Sequence, residues 1–115
     1  MSYLNVKTRR AGDALVVHIS GYLNSLLGEE VERVVSDALD AGVRRVLLHF
    51  GETRLINSIG ISIIIGIVEK VQEHNGTLAF CSLTKIHREL FEMTGVSRYF
   101  QAFTSEEDAL GYLGR

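Results

Sequence analysis

The hydroxyl of Ser58 is the side chain in this sequence best placed to do chemistry. It follows Asn57 and opens Ile59-Gly60-Ile61, the start of the most apolar stretch of the chain. Advancing each residue by about 100° sorts that stretch cleanly. Ser58, Ser62, Gly66, Glu69 and Glu73 fall on one side, and Ile61, Ile64, Ile67, Val68 and Val71 on the other. An alternating strand would not separate polar from apolar residues in this way. The spacing predicts a helix with Asn57-Ser58 at its N-terminal corner. Such a corner can serve capping alone, because Ser and Asn oxygens accept the orphan N–H groups of a first turn. It can also serve modification, because those N–H groups and the helix dipole stabilise an added phosphate. Ile59 and Ile63 project onto the flank near Gly66 and Lys70, away from the core face, which predicts an apolar surface beside the serine. Exposed apolar surface of that kind marks a partner site.

The other reactive residue types are scattered. His18, His49, His74 and His87 fall in four different elements, and no two have metal-ligand spacing. His18 and His49 lie in predicted strands and could be neighbours. Cys81 ends a strand without an activating partner in the pattern, so it reads as a small packed hydrophobe. Gly60 and Gly66 lack the preceding pattern and the lysine of a phosphate loop. Glu29-Glu30 and Glu106-Glu107-Asp108 sit at helix starts, where acidic residues are structurally favourable. No nucleophile, base and orienting group occur together, so no enzyme, metal or cofactor is expected.

The elements that must position these residues follow from the same periodicities. Residues Tyr3 to Arg10 alternate loosely, Ala11-Gly12-Asp13 reads as a turn, and Ala14 to Ser20 as a strand, giving an N-terminal antiparallel hairpin. Gly21 to Ser25 is read as a loop, with Asn24 or Ser25 capping a helix whose stripe is Leu27, Val31, Val34, Val35, Ala38 and Leu39, ended by Gly42. Val43 to Phe50 is a strand, and Val46-Leu47-Leu48 predicts burial on both faces, as in a central parallel strand. Gly51 to Ile56 is read as a loop, and Asn75-Gly76 closes the helix that follows it. Thr77 to Ser82 is a strand, and Thr84 caps a helix that Gly95 stops. Val96 to Phe103 is irregular or extended, and Ser105 opens a last helix that Gly114 closes. The order β-β-α-β-α-β-α-α points to an α/β fold, a mixed sheet of about four to five strands flanked by four helices.

Composition bounds the function. One domain over residues 1–115 is long enough to bury roughly two-thirds of its unfolded surface. A net charge of −2, without a basic run, argues against nucleic acid as a partner. The apolar run from Ile59 to Val68 is too short to span a bilayer and is broken by Gly60, Ser62 and Gly66. No signal pattern precedes Tyr3, and a single cysteine rules out an internal disulfide, so a cytoplasmic location is expected.

Five features in order resemble the STAS domain family, most closely the small single-domain anti-sigma factor antagonists of bacteria. They are the hairpin ending Ile19-Ser20-Gly21-Tyr22-Leu23-Asn24, the strand Val46 to Phe50, and the corner Asn57-Ser58-Ile59-Gly60 leading into an apolar helix. The strand Gly76 to Cys81 and the segment Phe91-Glu92-Met93-Thr94-Gly95-Val96 complete the set. The resemblance covers essentially the full chain and implies a STAS-type sheet.

The resemblance further implies a non-enzymatic binding protein switched by phosphorylation. Its phosphoacceptor would be Ser58, and its partner-binding residues Asn24, Asn57, Ser58, Ile59, Gly60, Ser62 and Ile63. The unphosphorylated form would bind an anti-sigma factor that is also a serine kinase of the histidine-kinase-like ATPase type. Phosphorylation would release it, and a PP2C-type phosphatase would reset it. The resemblance also allows a weak homodimer. Three positions depart from the family pattern: Asn57 and Asn24 stand where Asp is usual, and Ile59 where a second Ser or Thr is usual. Two other roles fit the same fold with Ser58 only as a helix cap. One is a constitutive scaffold subunit, stressosome-like or lipid-transport; the other is a sensor of small anionic ligands.

Overall fold

The computed structural model describes residues 5–114. The chain runs β1 (Val6–Ala11), β2 (Ala14–Leu23), α1 (Ser25–Asp40), β3 (Arg45–Ile56), α2 (Ser58–Glu73), β4 (Thr77–Cys81) and α3 (Lys85–Met93). A 3-10 turn (Val96–Tyr99), β5 (Gln101–Phe103) and α4 (Glu106–Leu113) complete it. Five strands form one mixed sheet in the order β1-β2-β3-β4-β5. The hairpin is antiparallel, turning through Gly12 at φ +61°, and the remaining pairs are parallel. The irregular stretch before Ser105 thus supplies a fifth strand. Tyr3 and Leu4 of the expected first strand lie outside the described residues.

Two predicted loops are strand. Gly21 to Leu23 extends β2, and Gly51 to Ile56 extends β3, with Ser20 opposite Glu52, Tyr22 opposite Leu55 and Leu23 opposite Ile56. The pairing tolerates glycines and poor alternation because register shifts occur between His18 and Ser20 and between Gly21 and Tyr22, with Gly21 at φ +98°. A buried hydrogen bond from Thr53 Oγ1 to Ile19 O, 2.7 Å, ties the extension across the two strands. Its consequence is a two-stranded ribbon that ends at the starts of α1 and α2.

The sheet is covered on both sides. The larger core joins Leu15, Val17, Ile19, Val46, Leu48 and Phe50 of the sheet to Val31 and Val35 of α1, Ile64 and Val68 of α2, and Phe91 of α3. On the other face, Ala14, Val16, Leu47, Ala79 and Cys81 pack with Ala109 and Leu113 of α4. Val46-Leu47-Leu48 therefore serves both cores from the central strand, as its apolar run requires.

The α4 face also carries a polar cluster. His18 and His49 are opposite residues of β2 and β3, with rings stacked 4.5 Å apart. Glu106, the first residue of α4, pairs with Arg9 of β1, and its other oxygen lies 3.9 and 3.8 Å from the two imidazoles. The acidic residue expected only to favour a helix start therefore also pins α4 to the sheet. The Arg9 hydrogen bond, the largest cause, holds the Glu106 carboxyl below its ordinary 4.5. Burial, then the adjacent His18, holds His49 below 6.5, while Glu106 pulls the other way. Burial likewise lowers His87.

These directions fix the sign of the acid response. Histidines with depressed values fold neutral, so below about pH 6.5 the unfolded chain binds protons that the folded chain refuses, and stability declines. The Glu106 contribution is present above 4.5 and is lost as pH falls through its depressed folded value. Urea midpoints are expected to fall between roughly pH 7.5 and pH 5.5, and His49→Gln should make that fall shallower. An unchanged slope in His49→Gln would show that this histidine does not carry it.

Candidate functional site

Two helix corners stand side by side at the end of the β2–β3 ribbon. Asn24 caps α1, its Oδ1 accepting from Leu27 N at 3.0 Å, and Asn57 caps α2, its Oδ1 accepting from Gly60 N at 2.7 Å. Each asparagine has extended backbone geometry and follows a strand residue, Leu23 or Ile56, paired with the other. Asn serves here as well as Asp would, since the cap needs only an acceptor oxygen. What the substitution removes is charge.

Ser58 is not the cap of α2; that role belongs to Asn57. The preceding residue has the required extended backbone, whereas Ser58 is already the first helical residue. Its side chain is exposed and makes no hydrogen bond among the described residues. The first-turn N–H groups of Ser58 and Ile59 have no carbonyl one turn back to bond. The hydroxyl is thus free for chemistry at the positive end of a helix.

The corner is fixed by backbone contact. Asn57 N donates to Leu23 O at 3.1 Å. Gly60 is buried against the same group, and a Cβ there would lie 2.2 Å from Leu23 O. Gly60 is therefore required by the approach of α2 to β2.

The seven expected site residues divide into two sets. Asn24, Asn57, Ser58, Ile59 and Ser62 lie at the corner or on the outer side of α2, with Ser58, Ile59 and Ser62 exposed. Gly60 and Ile63 face inward. Ile63 does not extend an exposed flank: it fills the space over Gly28 of α1, where a Cβ would lie 2.8 Å from its Cδ1. The contact continues along the two helices, with Gly66 near Glu32 and Lys70 Nζ donating to Ser36 Oγ at 2.7 Å. The wheel grouped these residues correctly, but their shared flank meets α1. Ile59, at its upper end, remains 53% exposed.

Three apolar residues that the sequence reading missed join Ile59 at this end. Tyr22 and Leu55 are opposite residues of the ribbon, 49% and 62% exposed, and Leu26 in the first turn of α1 is 68% exposed. Leu26 and Ile59 hold the same place in their helices, two residues after the capping asparagine. That repeat, Asn-Ser-Leu and Asn-Ser-Ile, was the available signal. The end of the ribbon thus carries a polar pair of corners together with four large exposed apolar side chains.

The remaining reactive groups form no second centre. Cys81 is buried, and its burial raises its thiol. His87 is buried with Nδ1 lacking a hydrogen-bond partner among the described residues. No group of three His, Cys, Asp or Glu among the described residues could hold a metal ion. No helix among them is long and apolar enough to cross a membrane.

The sequence model of the STAS domain matches residues 5–109. The chain belongs to the STAS domain family. A curated relative, named as the anti-sigma factor antagonist BtrV of Bordetella bronchiseptica, is 30% identical over 95 residues, covering 83% of this chain and 82% of its own. A Thermotoga maritima structure described as an anti-sigma factor antagonist superposes with TM-score 0.86 at 17% identity, over 96% of this chain and 95% of that one. The Bacillus cell fate determinant SpoIIAA in its phosphorylated form superposes with TM-score 0.77 at 16% identity, over 94% and 98%. At such identities the structures speak for the STAS fold alone.

A substitution series separates the structural from the chemical residues of this STAS corner. Gly60→Ala should cost about 2–3 kcal/mol because backbone must move to admit the methyl. Asn57→Ala should cost about 1 kcal/mol through the lost cap. Ser58→Ala should stay within about 0.5 kcal/mol of wild type. Denaturant unfolding of the three variants checks the order, and a large loss for Ser58→Ala would show that its hydroxyl is structural.

Proposed function

We propose that this STAS protein is a regulatory binding protein without a reaction of its own, acting as an anti-sigma factor antagonist switched at Ser58. One observation carries the proposal. Ser58 is exposed at the start of α2, relieved of capping by Asn57, at the end of the β2–β3 ribbon where Tyr22, Leu26, Leu55 and Ile59 are exposed as well. The names of the relatives support the same role: BtrV and the Thermotoga maritima protein are each described as anti-sigma factor antagonists. SpoIIAA is known in unphosphorylated and phosphorylated forms, each superposing with TM-score 0.77.

In the proposed cycle the unphosphorylated form binds an anti-sigma factor that is also a serine kinase of the histidine-kinase-like ATPase type. Transfer of a phosphoryl group to Ser58 adds roughly −1.5 to −2 charges at pH 7. Within the monomer the helix dipole and free N–H groups accommodate that charge. Beneath a bound apolar surface it would have to lose water. A penalty of about 3–4 kcal/mol then weakens binding by roughly a hundred- to a thousand-fold. A PP2C-type phosphatase restores the hydroxyl.

Ser58→Asp is expected to weaken binding to the anti-sigma factor, measured by calorimetry, with little change in melting temperature. Mass spectrometry after incubation with that kinase and ATP should place the phosphate on Ser58. Phosphate elsewhere, or wild-type affinity in Ser58→Asp, would sink the switch and leave the constitutive scaffold.

A further inference from the structure

We infer that the groove between α3 and the outer edge of β5 binds an extended segment of a partner protein, which joins the sheet as a sixth strand. β5 ends the sheet, so one of its edges has no strand beside it among the described residues. Ser82 N donates to Phe103 O at 3.0 Å, and β5 pairs with β4 through Gln101 opposite Ala79 and Phe103 opposite Cys81. Gln101 and Phe103 therefore turn their backbone groups towards β4. Alternation along the strand turns the N–H and C=O of Ala102 outward.

The two outer edges of the sheet, as formed by the described residues, are guarded differently. β1 carries the exposed charges of Lys7, Arg9 and Arg10, the usual protection against stray pairing. Gln101-Ala102-Phe103 carries none. Beside it lies a groove of about 270 Å³ lined by Leu83, Arg88, Glu92, Phe100, Gln101 and Ala102. At its floor Phe100 stacks on Phe80 with ring centres 3.9 Å apart. Ala102 leaves room above that floor for an incoming side chain. Arg88 and Glu92, four residues apart on α3, make no ion pair with each other or with any other described residue.

These features specify the occupant. An outward backbone donor and acceptor on one edge residue are matched by extended chain, as where other domains take a peptide between an edge strand and a helix. The apolar floor takes an aliphatic side chain, and the opposite charges of Arg88 and Glu92 take an acidic and a basic residue on either side of it. A second copy fits less well: its β1 edge would bring Lys7, Arg9 and Arg10 to a groove with a single acid, and its own β5, Gln101-Ala102-Phe103, would bring no charged strand residue to Arg88 and Glu92.

Selection from a displayed library of random peptides of roughly ten residues tests this with the intact protein. The expected result is at least tenfold enrichment of peptides with an aliphatic residue between an acid and a base. Ala102→Pro removes the outward N–H while leaving the pairing with β4, and should abolish the enrichment. Glu92→Arg keeps the backbone and should remove the preference for the base. Absence of enrichment, or enrichment that survives both variants, overturns the inference. So does a concentration-dependent dimer in sedimentation that Ala102→Pro dissolves, since the groove would then belong to a second copy.

Discussion

The end of β2 and the start of α2 share one carbonyl, and the geometry of the site depends on it. Leu23 O accepts from Asn57 N, and Gly60 presses against the same oxygen at a distance no side chain permits. The Leu23 side chain is fully buried in the larger core, so the contact transmits the packing of the sheet directly to the first turn of α2. Because Asn24 follows Leu23 immediately, α1 starts from the same fixed point. Two helix corners are thereby placed side by side without any side chain at the surface having to hold them.

Fixing the corners from below leaves the outer residues unconstrained by folding. Capping falls to the asparagines, close packing to Gly60 and Gly28, and the seam between α1 and α2 to Ile63, Gly66 and Lys70. None of these tasks involves the hydroxyl of Ser58 or the apolar residues exposed at the end of the ribbon. A single exposed leucine is ordinary on a protein surface, but Tyr22, Leu26, Leu55 and Ile59 gather at one end. Folding alone gives no reason for that gathering.

Periodicity revealed the helices, the central strand and the caps because each of those depends on residues close in sequence. The Asn57 corner, the Gly95 stop and the Ser105 cap were readable for that reason. The ribbon was not, because Gly21 to Leu23 and Gly51 to Ile56 become strand only by pairing with each other. Ile63 was misplaced for a related reason: a helical wheel says which residues share a face, but not what that face meets. The Arg9–Glu106 pair joins the first strand to the last helix, a separation over which spacing carries no information. At the site itself, the reading found Ser58 and Ile59 but missed Tyr22, Leu26 and Leu55, whose exposure depends on where the ribbon stops.

The departures at Asn24 and Asn57 bear on how the proposed switch would work in this chain. Both positions keep the acceptor oxygen, so both caps form and the corners hold their shape. The missing carboxylates would have stood beside a phosphate on Ser58 and repelled it. Without them, an added phosphate meets two helix N-termini and no fixed anion at either cap, which lowers its cost within the monomer. The cost then falls almost wholly on the bound state, where the exposed apolar surface would be covered and water excluded. The Asp-to-Asn departures thus leave desolvation at the covered surface, rather than repulsion at the corner, to drive release in such a switch.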